Sequence, residues 1–529
     1  MQIISFSPFG YEGALVTVEV DIRRGIPAID LVGLADGAVK ESRERMRSAI
    51  RNSGFDFPPE RVLISLSPAD VKKEGAGFDL AIALAVLCAS SSAQKNCDQP
   101  VASEDTESGH TIEEQILVMG ELELNGNIRA VRGIHAAAST ASASGIRYCI
   151  VPAMNADEAR EVPGMRVYGA KNLSEAFAAL SDASLFSASC ATNENRNGIP
   201  KGAVNIQGVL FSPSDSTNDY STVFEQPALI RALQIAAAGG HNLLAYGPPG
   251  CGKTLALQRF SSLLPLLSAE TAQPVTRIYS IAGRLPPGAS MVRIPPFRQP
   301  HQTASIEGMC GGGPHCVPGE ISLAHNGVLF LDEAAEFKTS VLQMLRVPLE
   351  SGMITLSRAG RSTTFPARFQ LLMATNPCPC GFYGSNHRLC LCSAHSIEQY
   401  WKKFSGPLLD RIDIRIPVEQ AKETSPHGWN MKDLQIPIAH AVTIQHKRQK
   451  KRNAHLGPAE ISTWCSCTDN ADALLRAAES TYHFSSRAVA SCLKLARTIA
   501  DMAQKETINS TCMEEAISYR KNEGGLSLE

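Results

Sequence analysis

A chain of 529 residues, 44% of them hydrophobic and 19% charged, is too long for one hydrophobic core and divides into roughly two to four domains. Its formal net charge of -2 offers no generally basic surface, so a polyanionic partner would have to be held by a local basic strip in a groove or ring. Apolar runs such as Ala81 to Cys88 are far too short to cross a bilayer and the start has no basic-then-apolar leader, which predicts a cytoplasmic protein without a membrane partner. The fifteen cysteines are scattered through a chain with no export signal, and they read as thiols rather than as a disulfide framework.

From residue 1 to about 180 strands and helices alternate. ALVTVEVDI and RVLISLSP have strand patterning, AVKESRERMRSAI and FDLAIALAVLCAS have helical apolar spacing, and the segment is an α/β domain. It is interrupted by the polar SSSAQKNCDQPVASEDTESGHTIEEQ, which reads as a mobile surface loop. Residues 181–218 have linker character, above all SASCATNENRNGIPKG. A second α/β domain is expected over 219–418, and a helical piece over 419–529, with ADALLRAAES and SSRAVASCLKLARTIADMAQ as its clearest amphipathic helices.

HNLLAYGPPGCGKTLALQRF places a short strand, then Gly247, Pro248, Pro249, Gly250, Cys251, Gly252, Lys253 and Thr254, then a helix. This is a phosphate-binding loop in its required context. The glycines let backbone N–H groups turn toward phosphate, the helix start adds its dipole, Lys253 reaches the β and γ phosphates, and the Thr254 hydroxyl faces magnesium. Cys251 lies beside the nucleotide, where oxidation would inhibit. In GVLFLDEAAEF the apolar run forms a buried strand, with Asp332 and Glu333 at its C-terminal end, where open α/β sheets bind ligands. Asp332 is the magnesium residue and Glu333 the one that polarises the attacking water. ATP and Mg2+ are the cofactors these residues imply.

Between these segments lies a long Gly-, Pro- and His-rich insertion from Pro295 to Gly327, and after them SGMITLSRAGRSTTFPARFQ reads as a hairpin turning at Arg358 to Arg361. Arg358 and Arg361 are candidates for sequence-independent contact with a nucleic-acid backbone. The strand FQLLMATN ends at Asn376, a polar side chain placed to orient water near the γ-phosphate. Directly behind it, Cys378, Cys380, Cys390 and Cys392 form C-x-C-x9-C-x-C. Four soft ligands so close together suit tetrahedral zinc, while reduced structural thiols, a redox pair and an iron–sulfur cluster stay open. Cys465/Cys467 and Cys310/Cys316 read as thiols without a role.

The order of phosphate loop, acidic strand end and asparagine strand end resembles the AAA+ ATPases, which work as rings with each site at a subunit boundary. In that resemblance Arg411, in SGPLLDRIDI, matches the finger reaching into a neighbour's site, and Arg487, in FSSRAVASCLKLARTIADM, matches the sensor arginine of a helical lid. The two insertions look like those of the magnesium-chelatase and ring-helicase branch, where a helix-2 insertion and a pre-sensor hairpin point toward the pore. PFRQPHQTAS, PGEISLAHNGVLFLDE, LRVPLESG, FPARFQLLMATNPCPCG, SGPLLDRID and SFSPFGYEGALVTVEVDI are similar to signature segments of the magnesium-chelatase-like ComM/YifB family, across nearly the full chain. The resemblance implies a homo-hexameric, ATP-driven helicase that moves branch points on single-stranded and branched DNA during natural transformation. The alternative is a chelatase-type ATPase remodelling a protein partner.

VKKEGAGFDLAIALAVL and MGELELNGNIRAVRGIHAAASTASASGIRYCIVP are similar to the proteolytic domain of Lon, a ribosomal S5 domain 2-like fold. That similarity puts Gly77 where a serine nucleophile belongs and His135 where its lysine belongs. A glycine has no nucleophile, so the front domain is expected to be proteolytically inactive and to serve as a ring platform.

Overall fold

The computed structural model describes residues 2–73, 75–95, 115–188, 198–213, 219–223, 226–285, 290–358, 361–384, 388–419 and 428–521. The front half is built on an eight-stranded mixed sheet. In spatial order its strands are Ser187–Ala188, Arg166–Ala170, Tyr148–Pro152, Gln115–Val118, Gln2–Ser7, Ala14–Arg23, Arg61–Ser67 and Ile29–Val32. Period-two patterning explains the two strands read from sequence: Val16 and Val18 point inward while Glu19 and Asp21 point out, and Val62, Ile64 and Leu66 are buried opposite them. The helix Asp79–Lys95 runs through the core with every residue from Leu80 to Leu87 buried, and it continues past the serines that were expected to open a loop. Most of that expected loop, residues 96–114, lies outside the described residues, as do 189–197 of the expected linker; Ser187–Ala188 instead forms the sheet's edge strand.

The second half holds a five-stranded, wholly parallel sheet, ordered Phe297–Arg298, Val328–Leu331, Gln370–Thr375, Leu243–Tyr246 and Ile414–Pro417. Its strands read as continuous apolar runs because both faces are covered. Leu243, Ala245, Val328, Phe330, Leu372 and Ala374 face a core shared with the C-terminal helices, among them Met431–Gln449 and Ser486–Met502. Leu244, Leu329, Leu331, Leu371 and Met373 face a separate core with Trp401, Phe404 and Cys378. The expected hairpin is present, with Met353–Arg358 antiparallel to Arg361–Pro366 and Arg358 opposite Arg361. No helix among the described residues is long and apolar enough to cross a membrane.

The two halves meet through polar contacts. The helix Ile134–Ala143 packs on Ala269–Ile281; the His135 Nε2 lies 2.8 Å from Gln273 Oε1, and Gln273 donates to the Glu161 carbonyl at 2.6 Å. Glu158 accepts from the Ser280 hydroxyl at 2.5 Å and from the His135 N–H at 2.9 Å. Gly10–Gly13 forms a wedge: Tyr11 N–H donates to Thr363 Oγ1 at 2.9 Å, and the Arg277 guanidinium stacks 4.6 Å from the Tyr11 ring while donating to its carbonyl at 3.0 Å. Gly10 is required here, since a Cβ would fall 2.1 Å from Thr363 Oγ1.

Burial lowers the His135 pKa to about 4, so the ring is neutral in the fold. The unfolded chain takes up its proton near pH 6.5, so this contribution to stability is complete above that value and is lost as pH falls toward 4. Between pH 7 and 5 the parent should lose about 2 kcal/mol more stability than a His135→Gln chain, read from denaturant melts at each pH. Parallel pH curves would refute it.

Candidate nucleotide site

The strand Leu243–Tyr246 delivers Gly247 to the C-terminal edge of the parallel sheet, and the Gly247 N–H donates to the Thr375 carbonyl of the adjacent strand at 3.3 Å. A Cβ at Gly247 would lie 2.0 Å from the Val418 oxygen, so the loop can turn here only without a side chain. Gly250 and Gly252 take φ of +78° and +83°, the left-handed region that favours glycine. Lys253 is buried, and its ammonium donates to the carbonyls of Gly247 at 2.6 Å and Pro248 at 2.7 Å, with Cys251 Sγ 3.4 Å away. Burial lowers its pKa. A desolvated cation held by carbonyl dipoles lacks a full counter-charge, which a phosphate would supply. The helix behind the loop, Lys253–Gln258, is short and continues as 3-10 turns to Leu263. Gln226, which sequence reasoning did not single out, donates to the Cys251 carbonyl at 3.4 Å and the Glu419 carbonyl at 2.6 Å, tying the loop to the segment after Ile414–Pro417.

The strand Val328–Leu331 brings Asp332 to the same edge, where its Oδ1 accepts from the Thr254 hydroxyl at 3.0 Å. A hydroxyl and a carboxylate so close are a fit pair of oxygen ligands for magnesium, which characteristically keeps several waters and few protein ligands. Glu333 is exposed and sits at φ +48°, a costly conformation for a residue with a side chain. Its N–H donates to Asp332 Oδ1 at 3.1 Å. Asn376, half-buried, follows Gln370–Thr375 at that edge and lies beside Gly381, which itself abuts Pro249 of the loop. Loop, carboxylates and asparagine are thus assembled by three neighbouring strand ends.

Arg411 and Arg487 are elsewhere. Arg411 precedes the strand Ile414–Pro417, and its carbonyl accepts from the Asn242 side chain at 2.9 Å, at the N-terminal edge of the sheet. Four residues of parallel strand, about 13 Å, separate that edge from the phosphate loop. Both arginines converge on one carboxylate, Glu350, which bonds Arg411 Nη2 and takes Arg487 Nη2 at 3.2 Å. The Arg411 guanidinium beside it holds the Glu350 carboxyl below its usual range. Glu350 had no chemical signal in the sequence; it is one acid in the segment LRVPLESG.

The hairpin arginines diverge. Arg358 is exposed at the end of its strand. Arg361 is folded onto the front domain, 5.2 Å over the Phe9 ring, with Nη2 donating to the Asp70 carbonyl at 3.1 Å. Residues 359–360 between them lie outside the described residues.

The four cysteines come together with all four sulfurs within 4.8 Å of one another. Cys378 Sγ is 3.3 Å from Cys380 Sγ and 3.7 Å from Cys390 Sγ. Tetrahedral zinc at about 2.3 Å from each thiolate places sulfurs about 3.8 Å apart, so the set fits that ion. The Tyr383 N–H donates to Cys378 Sγ at 3.3 Å.

Residues 219–425 match the family described as "Magnesium chelatase, subunit ChlI", residues 18–155 match "Subunit ChlI of Mg-chelatase", and 429–520 match its C-terminal region. The chain is 39% identical to the uncharacterized protein YifB of Escherichia coli over 522 residues, 97% of this chain and 95% of that protein. It is 36% identical to the competence protein ComM of Haemophilus influenzae, over 98% of this chain and 97% of that one. The magnesium-chelatase 38 kDa subunit of Acidiphilium rubrum is 28% identical over 30% of this chain and 52% of its own length. Full-length similarity at 36–39% identity makes the chain a member of the magnesium-chelatase-like ComM/YifB family.

Proposed function

We propose that the chain is an ATP-driven DNA motor working as a homo-hexameric ring, a helicase that migrates branch points when incoming DNA is recombined during natural transformation. The observation that supports this best is the division of the catalytic residues between two edges of one sheet. Lys253, Thr254, Asp332, Glu333 and Asn376 gather at the C-terminal edge, and Arg411 and Arg487 gather around Glu350 at the other. In this arrangement both arginines sit at the sheet edge away from the chain's own phosphate loop, which favours their delivery by a head-to-tail neighbour.

In this reading Lys253 exchanges its carbonyl partners for the β and γ phosphates, while Thr254 and Asp332 hold magnesium, which neutralises phosphate charge when bound. Glu333 takes a proton from the attacking water, Asn376 orients that water, and the neighbour's Arg411 and Arg487 leave Glu350 to meet the charge that develops on the γ-phosphate. Glu350 then acts as a resting counter-ion for both guanidiniums. We assign the front domain, Lon-like in ancestry, to a platform role without proteolysis: Gly77 offers no nucleophile, and His135 is neutral and bonded to Gln273.

The DNA reading gains from exposed Arg358 and from full-length similarity to a competence protein; the partner-remodelling alternative has only the partial likeness to a chelatase subunit. ATPase assays with single-stranded, duplex and four-way DNA, against a porphyrin-chelatase partner as control, test it. Stimulation by DNA is expected, and stimulation by the chelatase partner alone would overturn it. Arg358→Ala should weaken DNA binding regardless of sequence and reduce the slope of log affinity against log salt by about one per chain. An unchanged slope removes Arg358 from the DNA path. Lys253→Ala should abolish ATP binding, checked with a fluorescent ATP analogue.

A further inference from the structure

The cysteine knob is joined to the phosphate loop, and this relation rests on the nucleotide reading above only for its consequence, not for the metal. In RLCLC, Leu389 and Leu391 are 84% and 86% exposed, while Cys390 and Cys392 turn inward toward Cys378 and Cys380. Among the described residues of this protrusion the leucines face solvent and the sulfurs face each other, with Cys378 buried in the core and Cys390 and Cys392 packed against it, so apolar burial is confined to its base. A metal ion would hold the rest, because a closed four-thiolate site contributes folding energy directly.

The knob has three fixed attachments. Gly381, at φ +83°, sits so close to the loop that a Cβ would fall 2.9 Å from Pro249 Cδ and 3.9 Å from Asn376 Cγ. Pro377, between Asn376 and the first cysteine, accepts through its carbonyl from Trp401 Nε1 at 3.0 Å. Trp401 in turn meets Tyr246, the residue before Gly247, edge to face at 5.8 Å. Cys378 itself is buried in the core beneath the sheet.

We propose that Cys378, Cys380, Cys390 and Cys392 bind one structural zinc ion, and that this ion clamps Gly381 against Pro249, so that its loss loosens the phosphate loop and Asn376 and weakens ATP binding. Zinc suits the site because four thiolates leave no open position and no redox change is needed. The clamp is a positioning device: it meets the loop at Pro249 and lies beside Asn376.

The test uses the full-length chain. Elemental analysis of purified parent should give about one zinc per chain, and Cys378→Ser with Cys390→Ser should give none. Fluorescent ATP-analogue titration should show about tenfold weaker binding after zinc is stripped with a chelator, with far-UV circular dichroism little changed and affinity restored by added zinc. Gly381→Ala provides an arm that keeps all four cysteines: it should retain zinc, since the cysteines are intact, yet bind the analogue several-fold more weakly because its methyl presses on Pro249. A parent that binds ATP without zinc, an iron chromophore, or disulfides in place of free thiols would overturn the metal site. Zinc-free and Gly381→Ala chains that bind ATP like the parent would overturn the clamp. A parent holding zinc but unable to bind ATP would refute the nucleotide reading, and the clamp with it, while leaving the metal site established.

Discussion

An Arg411→Ala chain is expected to bind ATP as the parent does and to hydrolyse it at least about 10^3-fold more slowly, the scale of an arginine supplied in trans to a phosphoryl transition state. The Arg411 side chain is only 12% exposed and is held by Glu350 and by the Pro407 carbonyl, 2.6 Å from Nη1, at the sheet edge opposite the chain's own phosphate loop. Removing it leaves Lys253, Thr254 and Asp332 undisturbed, so affinity should hold while kcat falls. Arg487, 45% exposed and more loosely held by the same carboxylate, should give the same direction with a smaller loss. Steady-state ATPase assays beside analogue titrations separate the two effects. Loss of affinity without loss of kcat would mean that Arg411 is a folding residue and not a finger.

Glu333→Gln should lower turnover by about 10^2 to 10^4-fold, the usual worth of a positioned general base, while ATP binding persists. Glu333 is not a ligand in the Thr254–Asp332 pair, and glutamine keeps its shape, so nucleotide and magnesium binding are expected to survive. The backbone sits at φ +48°, and glutamine tolerates that conformation as glutamate does. The protein should therefore accumulate as an ATP-bound assembly on DNA, seen as a stable ring by light scattering with ATP. Wild-type turnover in this chain would move the base elsewhere.

Much of the candidate nucleotide site is legible in the sequence because its pieces are local. A strand, a glycine loop and a lysine are contiguous, and Asp332 and Asn376 each follow an apolar run whose continuous burial marks a parallel strand. The four cysteines likewise announced themselves by spacing. What escaped depends on pairs distant in sequence. Glu350 with Arg411 and Arg487, Gly381 with Pro249, and Tyr11 with Arg277 are meetings that no periodicity encodes. Arg361 makes another such meeting: this hairpin arginine lies half-buried on the Phe9 ring and the Asp70 carbonyl, where the front domain packs against its strand. His135 shows the same, a residue legible as an unsuited base whose partner, Gln273, only the fold reveals.

A site shared between two chains predicts complementation between an arginine variant and a glutamate variant. Arg411→Ala and Glu333→Gln chains should each be nearly inactive alone. Co-expressed in equal amounts, they should recover roughly a quarter of parental ATPase activity, the share of interfaces in randomly mixed rings that join an intact Lys253–Glu333 side to an intact Arg411. A mixture no more active than either mutant by itself would contradict the account.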